Sequence, residues 1–312
     1  MRLFFLMVIL SNKIRKGDLM KNIEDPMVSL IIPVKNEGSN VRNTIESALQ
    51  VKTAYPFEII VVDDGSTDNC CEFISSYGTK QIKLINSKGI GAACARNLGV
   101  QHASGSYLIF CDAHLFFEDH WIEGLLDPLQ KGIADAAAPG IANVSNPMSP
   151  GFGQTLNESL EVQWHLDKKE LFPTAILPGG CLAVSKEVFT DIGGFDSELR
   201  VWGYEDVEIS IKLWLFGYSC YVEPAVKILH VFRSIHPYTV SWDDFYFNMM
   251  RMAFSHFSEE RIEKCRGLIK HCDPIIIESE VLKTNVLKQR ELYFNRRKYD
   301  DSWFMNTFDI HF

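Results

Sequence analysis

Short apolar, β-branched runs that stop abruptly at acidic residues constrain this chain more than any other feature. Val28–Val34 reads Val-Ser-Leu-Ile-Ile-Pro-Val and passes into the turn Asn36-Glu-Gly-Ser-Asn40. Glu58–Val62 ends in Asp63-Asp64-Gly65-Ser66, and Ser106–Phe110 ends at Cys111-Asp112. Runs this short, with no polar face, are strands buried inside a sheet. Helical spacing at Val41–Gln50 and a small-residue helix at Ala92–His102 separate them, with a further helix expected near Asn69–Tyr77 and a strand at Ile82–Ile85. Strand and helix in alternation predict an α/β fold with a mostly parallel sheet. Ligands bind such sheets at the C-terminal ends of the strands, where the polar residues of this chain cluster.

The second half is less regular. Ala136–Pro150 reads as extended segments and loops, Leu177–Gly180 as a turn before a strand at Cys181–Val184, Val207–Phe216 as an amphipathic helix and Tyr221–His230 as a strand. From Ser241 onward the chain reads as helical. Its stripe of Phe245, Phe247, Met249, Met250, Met252, Phe254 and Phe257 is expected to pack on the main domain rather than bind a ligand.

A length of 312 residues accommodates one large α/β domain with an appendage. The net charge of -9 argues against nucleic acid as a partner, and requires a polyanionic ligand to be held by a cation or by backbone N–H groups. None of the 8 cysteines forms a Cys-x-x-Cys pair, so no zinc site is signalled, and thiols within apolar runs fit a reducing cytoplasm. Met1–Leu10 is apolar but about half the length of a membrane helix, and no cleavage site follows it. Lys16-Gly17-Asp18 can be encoded by a purine-rich ribosome-binding sequence, which makes Met20 a candidate start and the source bacterial.

Asp112-Ala-His114 follows a buried strand directly. A carboxylate oxygen and an imidazole there suit a borderline ion such as Mn²⁺ (or Mg²⁺), which can bridge two phosphates and stabilise a departing diphosphate. His230, at the end of another expected strand, is the candidate third ligand, and Arg233 beside it adds charge for phosphate oxygens. Asp64 can accept a hydrogen bond from a nucleobase N–H or close an Asx turn. Glu37 can bind base or ribose, or cap the following helix. Glu205 and Asp206 favour a helix N-terminus electrostatically, and one of them can serve as general base. Trp202, beside Gly203, can form a lid, and Gly179-Gly180 lets backbone approach a ligand closely.

Together these segments resemble a known family. Ile31-Ile-Pro-Val-Lys-Asn-Glu37, Val62-Asp-Asp-Gly-Ser66, Ala95-Arg-Asn-Leu-Gly99 and Phe110-Cys-Asp112 resemble family 2 glycosyltransferases of the GT-A fold. Asp112-Ala-His114, Pro178-Gly-Gly180, Trp202-Gly-Tyr-Glu205 and His230-Val-Phe-Arg233 look more specifically like polypeptide N-acetylgalactosaminyltransferases. The resemblance spans about residues 28–235. It implies a Rossmann-like nucleotide-sugar-binding domain, a UDP-sugar donor and Mn²⁺. It implies Asp112, His114 and His230 as metal ligands, Asp64 at the uracil and Trp202 on a mobile loop. Pro33, Glu37, Arg96, Gly179, Gly180 and Arg233 complete the expected donor site. The expected organisation is an extension at 1–27, the transferase domain at 28–235 and a mostly helical extension at 236–312.

One departure bears on mechanism. The animal enzymes carry Asn where this chain has Asp206, and they retain anomeric configuration. Glu205-Asp206 is closer to inverting β4-galactosyltransferases, in which the Asp is the base. The expected reaction is therefore transfer from a UDP-sugar to a hydroxyl or thiol of a peptide, protein or glycan, with Asp206 deprotonating the acceptor. No lectin module fits after about residue 240, so the sugar is not carried over from the family. A sugar nucleotidyltransferase would need a Gly- and Lys/Arg-rich loop where Val34-Lys-Asn-Glu-Gly38 stands. A non-catalytic nucleotide-sugar-binding module would not need the intact acidic and histidine set.

Overall fold

The computed structural model describes residues 27–312. The apolar segment Met1–Leu10 and the candidate start Met20 lie outside the described residues. The chain runs β1 (Val28–Val34), α1 (Asn40–Gln50), β2 (Phe57–Asp63), β3 (Ile82–Asn86), α2 (Ala92–Gln101), β4 (Tyr107–Cys111), β5 (Leu115–Phe116), α3 (Trp121–Gln130), β6 (Ala136–Asn143), β7 (Asn146–Leu156) and β8 (Val162–His165). It continues with β9 (Phe172–Pro173), β10 (Cys181–Ser185), α4 (Lys186–Asp191), α5 (Glu205–Leu215) and β11 (Cys220–His230). Five further helices follow: α6 (Trp242–His256), α7 (Glu259–Gly267), α8 (Pro274–Leu282), α9 (Val286–Arg296) and α10 (Asp301–Thr307).

The strands form one sheet in the order β3-β2-β1-β4-β10-β6-β11-β5, with β7 on β6, β8 on β7 and β9 on β11. Strands β1 to β4 are mutually parallel, as their crossover connections require. Antiparallel pairing enters beyond them: β7 runs against β6, and β10 runs against both β4 and β6, placing Cys181 opposite Cys111. The helix expected near Asn69–Tyr77 is a 3-10 turn at Glu72–Tyr77, ended by Gly78 in the left-handed region. Layers of Ile, Val and Leu from β1, β2 and β4 fill both faces of the sheet, against α1 and α3 on one side and α2, α4 and α5 on the other. Among the described residues no helix is long and apolar enough to cross a membrane.

Most of the stripe on α6 is core: Phe247, Met249, Met250, Met252, Phe254 and Phe257 are buried against α5 and α7 to α10, while Phe245 is half-buried and lines a cleft. Charge is buried with it. Arg251 donates to both Asp196 oxygens at 2.8 and 2.9 Å, and reaches Thr284, Asn285 and Gln289 as well. This fork joins the loop before α5 to the turn between α8 and α9. A buried pair is costly to break because the surviving charge stays in a low dielectric. Arg251→Met is therefore expected to cost about 3–5 kcal/mol, read as a lower urea midpoint with an unchanged slope.

Candidate active site

One cleft of about 790 Å³ opens where the strands of the first half end. Its lining includes all thirteen residues singled out from the sequence: Pro33, Glu37, Asp64, Arg96, Asp112, His114, Gly179, Gly180, Trp202, Glu205, Asp206, His230 and Arg233. The size suits a nucleotide-sugar with room beside it.

Asp112 leaves β4, and His230 closes β11. His230 Nε2 lies 3.2 Å from Asp112 Oδ2, and His114 Nε2 lies 3.8 Å from the same oxygen. One ligand atom from each of the three falls within 4.8 Å of the others. One carboxylate oxygen and two imidazole nitrogens form a donor set that fits Mn²⁺ and leaves positions for phosphate oxygens. Gly180 closes the floor: its O accepts from the Asp112 N–H at 2.9 Å, and a Cβ at Gly180 would meet His230 Cδ2 at 3.3 Å and Asp112 Oδ2 at 3.5 Å. Burial works against the Asp112 charge, but the hydrogen bond to His230 and the charges of His114, His230 and Arg96 hold its carboxyl well below the usual range.

Several residues have partners that the sequence did not indicate. Glu37 is clamped by both terminal nitrogens of Arg233, at 3.0 and 2.8 Å, and lies 3.2 Å from His114 Nδ1. Burial pushes the Glu37 carboxyl up, yet the hydrogen bonds from His114 and Arg233 outweigh it and lower its pKa. Glu37 thus serves the site from behind: together with Arg233 Nη2, 3.0 Å from His114 Nδ1, it holds the imidazole through Nδ1 and leaves Nε2 turned toward Asp112. This bidentate pair joins the two residues expected at base or ribose and at phosphate, and both line the cleft. The turn is closed by Asp63, whose Oδ1 accepts from Ser66 N three residues on. Asp64 instead braces the wall of the cleft, accepting from Ser87 Oγ, Ile90 N and Gly91 N.

Arg96, on α2, is buried between Glu205 at 3.1 Å and Asp112 at 3.4 Å, and also donates to Gly179 O. Glu205 has its second oxygen on Gly203 N. Asp206 accepts from Gly179 N at 3.1 Å and Val207 N at 2.8 Å. Burial, and then repulsion from Glu205, raise the Asp206 pKa to about 6. The loop before α5 is contorted, with φ of 37° at Val201, 102° at Gly203 and 66° at Tyr204. It presents Trp202 to the cleft with its ring 4.5 Å from that of His236. Of the far wall, the sequence singles out only Phe245, in the aromatic stripe. That wall consists of Gln154, Leu160 and Trp164 from the β7–β8 hairpin, facing Trp242, Phe245 and His271 from the helical region. Gly151 and Gly153 interrupt the alternation that would have marked β7 in the sequence.

Comparison with known proteins agrees with this arrangement. Residues 29–193 match Glycosyl transferase family 2, and residues 164–236 match the N-terminal domain of galactosyltransferase. The chain belongs to glycosyl transferase family 2. Among curated relatives it is 30% identical over 236 residues to polypeptide N-acetylgalactosaminyltransferase 11 of Xenopus tropicalis, covering 68% of this chain and 39% of that one. It is 32% identical over 243 residues to polypeptide N-acetylgalactosaminyltransferase 3 of Mus musculus, covering 69% and 38%. The chain thus spans about two fifths of the length of these relatives. Among solved structures, GalNAc-T7 with UDP, GalNAc and Mn²⁺ superposes with a TM-score of 0.71 at 22% identity, over 91% of this chain and 56% of that one. The mannosyltransferase PcManGT of Pyrobaculum calidifontis, with GDP-Man and Mn²⁺, gives 0.53 at 17% identity, over 90% and 79%. These likenesses establish the GT-A fold. The relatives correct one expectation, that of a bacterial cytoplasmic enzyme, because they are animal enzymes. That expectation leaned on unpaired thiols, but Cys111, Cys181, Cys220 and Cys265 are buried in apolar packing and carry no information about compartment.

Adding a methyl group at Gly180 tests the floor of the site. Gly180→Ala is expected to weaken Mn²⁺ binding about tenfold or more, by analogy with disturbed ligand surroundings, while leaving the thermal midpoint nearly unchanged. Electron paramagnetic resonance of free Mn²⁺ and a melting curve check both halves.

Proposed function

We propose that the chain transfers a sugar from a UDP-sugar to a hydroxyl of a peptide or protein, and that Mn²⁺ assists. The observation that carries this reading is the convergence of Asp112, His114 and His230 on one point in a cleft between strand ends and the aromatic far wall. The relatives that act on polypeptides support the acceptor class.

In this reading Asp112, His114 and His230 hold the ion, which supplies Lewis-acid stabilisation of the departing diphosphate. Pro33 and the Asp64 loop seat the nucleotide at the ends of β1 and β2. Glu37 and Arg233 keep His114 oriented. Gly179 and Gly180 let the sugar lie against backbone, and Trp202 covers it to exclude water. Arg96 pairs with Glu205 and Asp112 and helps to hold the Asp112 carboxyl in its charged form. Asp206 is the base that takes the acceptor proton as the bond from the anomeric carbon to the diphosphate breaks, and the product is inverted. A carboxylate with a pKa of about 6 is largely ionised at neutral pH and basic enough to take that proton. Residues 28–235 form the transferase domain, and 236–312 are a helical extension that contributes to its far wall.

Two outcomes follow. Mn²⁺-dependent release of UDP from one donor in a panel of UDP-sugars is expected for the wild type and lost in Asp112→Ala; no release and no Mn²⁺-dependent UDP binding would exclude the reading. Asp206→Asn is expected to lower kcat by about 10²–10⁴-fold and to remove the fall in rate as pH drops through about 6. The Asp206 value is raised from 3.8, so the folded state holds the extra proton between about 4 and 6, and this group's contribution to stability declines as pH rises through that window. The Asn variant is therefore also expected to lose less stability between pH 4 and 7, as measured by urea unfolding. Proton NMR of the product's anomeric signal decides between inversion and retention.

A further inference from the structure

Gln154 is built into the far wall in a way that packing does not explain. It stands on β7 between Phe152 and Leu156, and its residue is 5% exposed. Its backbone is satisfied: N–H donates to Ile176 O and Thr174 Oγ1, and C=O accepts from Ile176 N and Thr174 Oγ1. Its side-chain oxygen is buried with no hydrogen-bond partner. The side chain lines the cleft. A buried amide oxygen without a partner at a cleft wall is a cost that an apolar residue of similar size would avoid, and that a ligand group would relieve.

Position in the sheet identifies that group. Along the sheet, the residues lining the cleft run from Asp64 just after β2 and Pro33 on β1, through Asp112 after β4 and Gly180 before β10, to Ile141 within β6 and Gln154 within β7. In the proposed reaction the nucleotide takes the β2–β1 end and the diphosphate takes the centre. Gln154 therefore faces the acceptor. A carboxamide can offer its oxygen as acceptor or, turned over, its NH₂ as donor. A main-chain peptide unit carries both complementary groups and can satisfy either orientation. Trp164, paired across the hairpin from Gln154, offers a flat apolar wall for the side chain next to it.

We infer that Gln154 is a specificity-determining residue that binds a main-chain amide of the acceptor peptide. The inference rests on the peptide-acceptor reading of the cleft. The test uses synthetic acceptor peptides in which each backbone amide in turn is replaced by an ester, assayed with the full chain and with Gln154→Met. The wild type is expected to show one position where the ester raises acceptor KM about tenfold, the effect of one lost hydrogen bond. Gln154→Met is expected to raise KM for the unmodified peptide by a similar factor, to ignore the ester at that position, and to keep kcat, donor KM and acceptor-free UDP release unchanged. The inference falls if no ester position matters to the wild type, or if both proteins respond to the same ester equally. It also falls if Gln154→Met changes donor KM or acceptor-free UDP release, since the side chain would then read the donor sugar. UDP release without glycosylation of any peptide would overturn the peptide-acceptor reading itself, and this inference with it. The ester scan on the wild type alone decides the matter if the variant does not fold.

Discussion

The site depends on a buried guanidinium. Arg96 reaches from α2 into the space between the end of β4 and the start of α5, where Asp112 and Glu205 converge. Without a fixed positive charge there, these carboxylates and the adjacent Asp206 would repel one another in a poorly solvated place. Arginine suits the position because it stays charged at every accessible pH and its planar fork meets two partners at once. Its third contact, Gly179 O, ties the glycine turn to the same centre. One residue thus sets where the Asp of the metal triad, the start of α5 and the Pro178-Gly-Gly180 turn stand relative to each other.

A second set of constraints comes from beyond the sheet. Asn248, on α6, donates to the carbonyls of Arg200 and Gly203, and its own oxygen accepts from Arg200 N. Phe245 packs against Tyr204 and closes over Gly203. The contorted loop that presents Trp202 is therefore held from behind by the helical region. Left-handed backbone at Val201 costs about 1–2 kcal/mol relative to an ordinary conformation, and contacts of this kind sustain it. The helices after β11 are part of the cleft's construction as well as part of the core.

Much of this was legible in the sequence because strand ends are legible. Apolar runs ending in Asp63-Asp64 and Cys111-Asp112 located the edge of the sheet, and the motifs near Gly180, Trp202 and His230 supplied residues for it. What a motif gives is adjacency, and what it omits is the partner. Nothing in Asn36-Glu37 or Phe232-Arg233 says that these two side chains, 196 residues apart, form a bidentate pair. Likewise, Asp63 and Asp64 look equivalent as letters, yet the strand's alternation sends one to close its own turn and the other to brace a remote loop. Most of the far wall was hidden for a different reason. A hairpin interrupted by glycines has no clean period, and its alignment with the aromatic residues of α6 is a tertiary fact. Antiparallel β10 escaped for the same reason, since a single short apolar run does not declare its direction.

The antiparallel pairing of β4 with β10 has one further consequence. Asp112 belongs to a strand leaving the sheet, Gly180 to one entering it, and His230 to a third that lies 118 residues beyond Asp112. No local segment contains the whole candidate metal site. It exists only after three distant crossings have been completed in a single register, because a slip of one residue between β4 and β10 would turn Asp112 to the other face. An ion that binds these three side chains therefore recognises the finished topology and no partly assembled chain. Its binding energy would be added to the native state alone, which would make the centre a seal on completed folding as well as a place for chemistry.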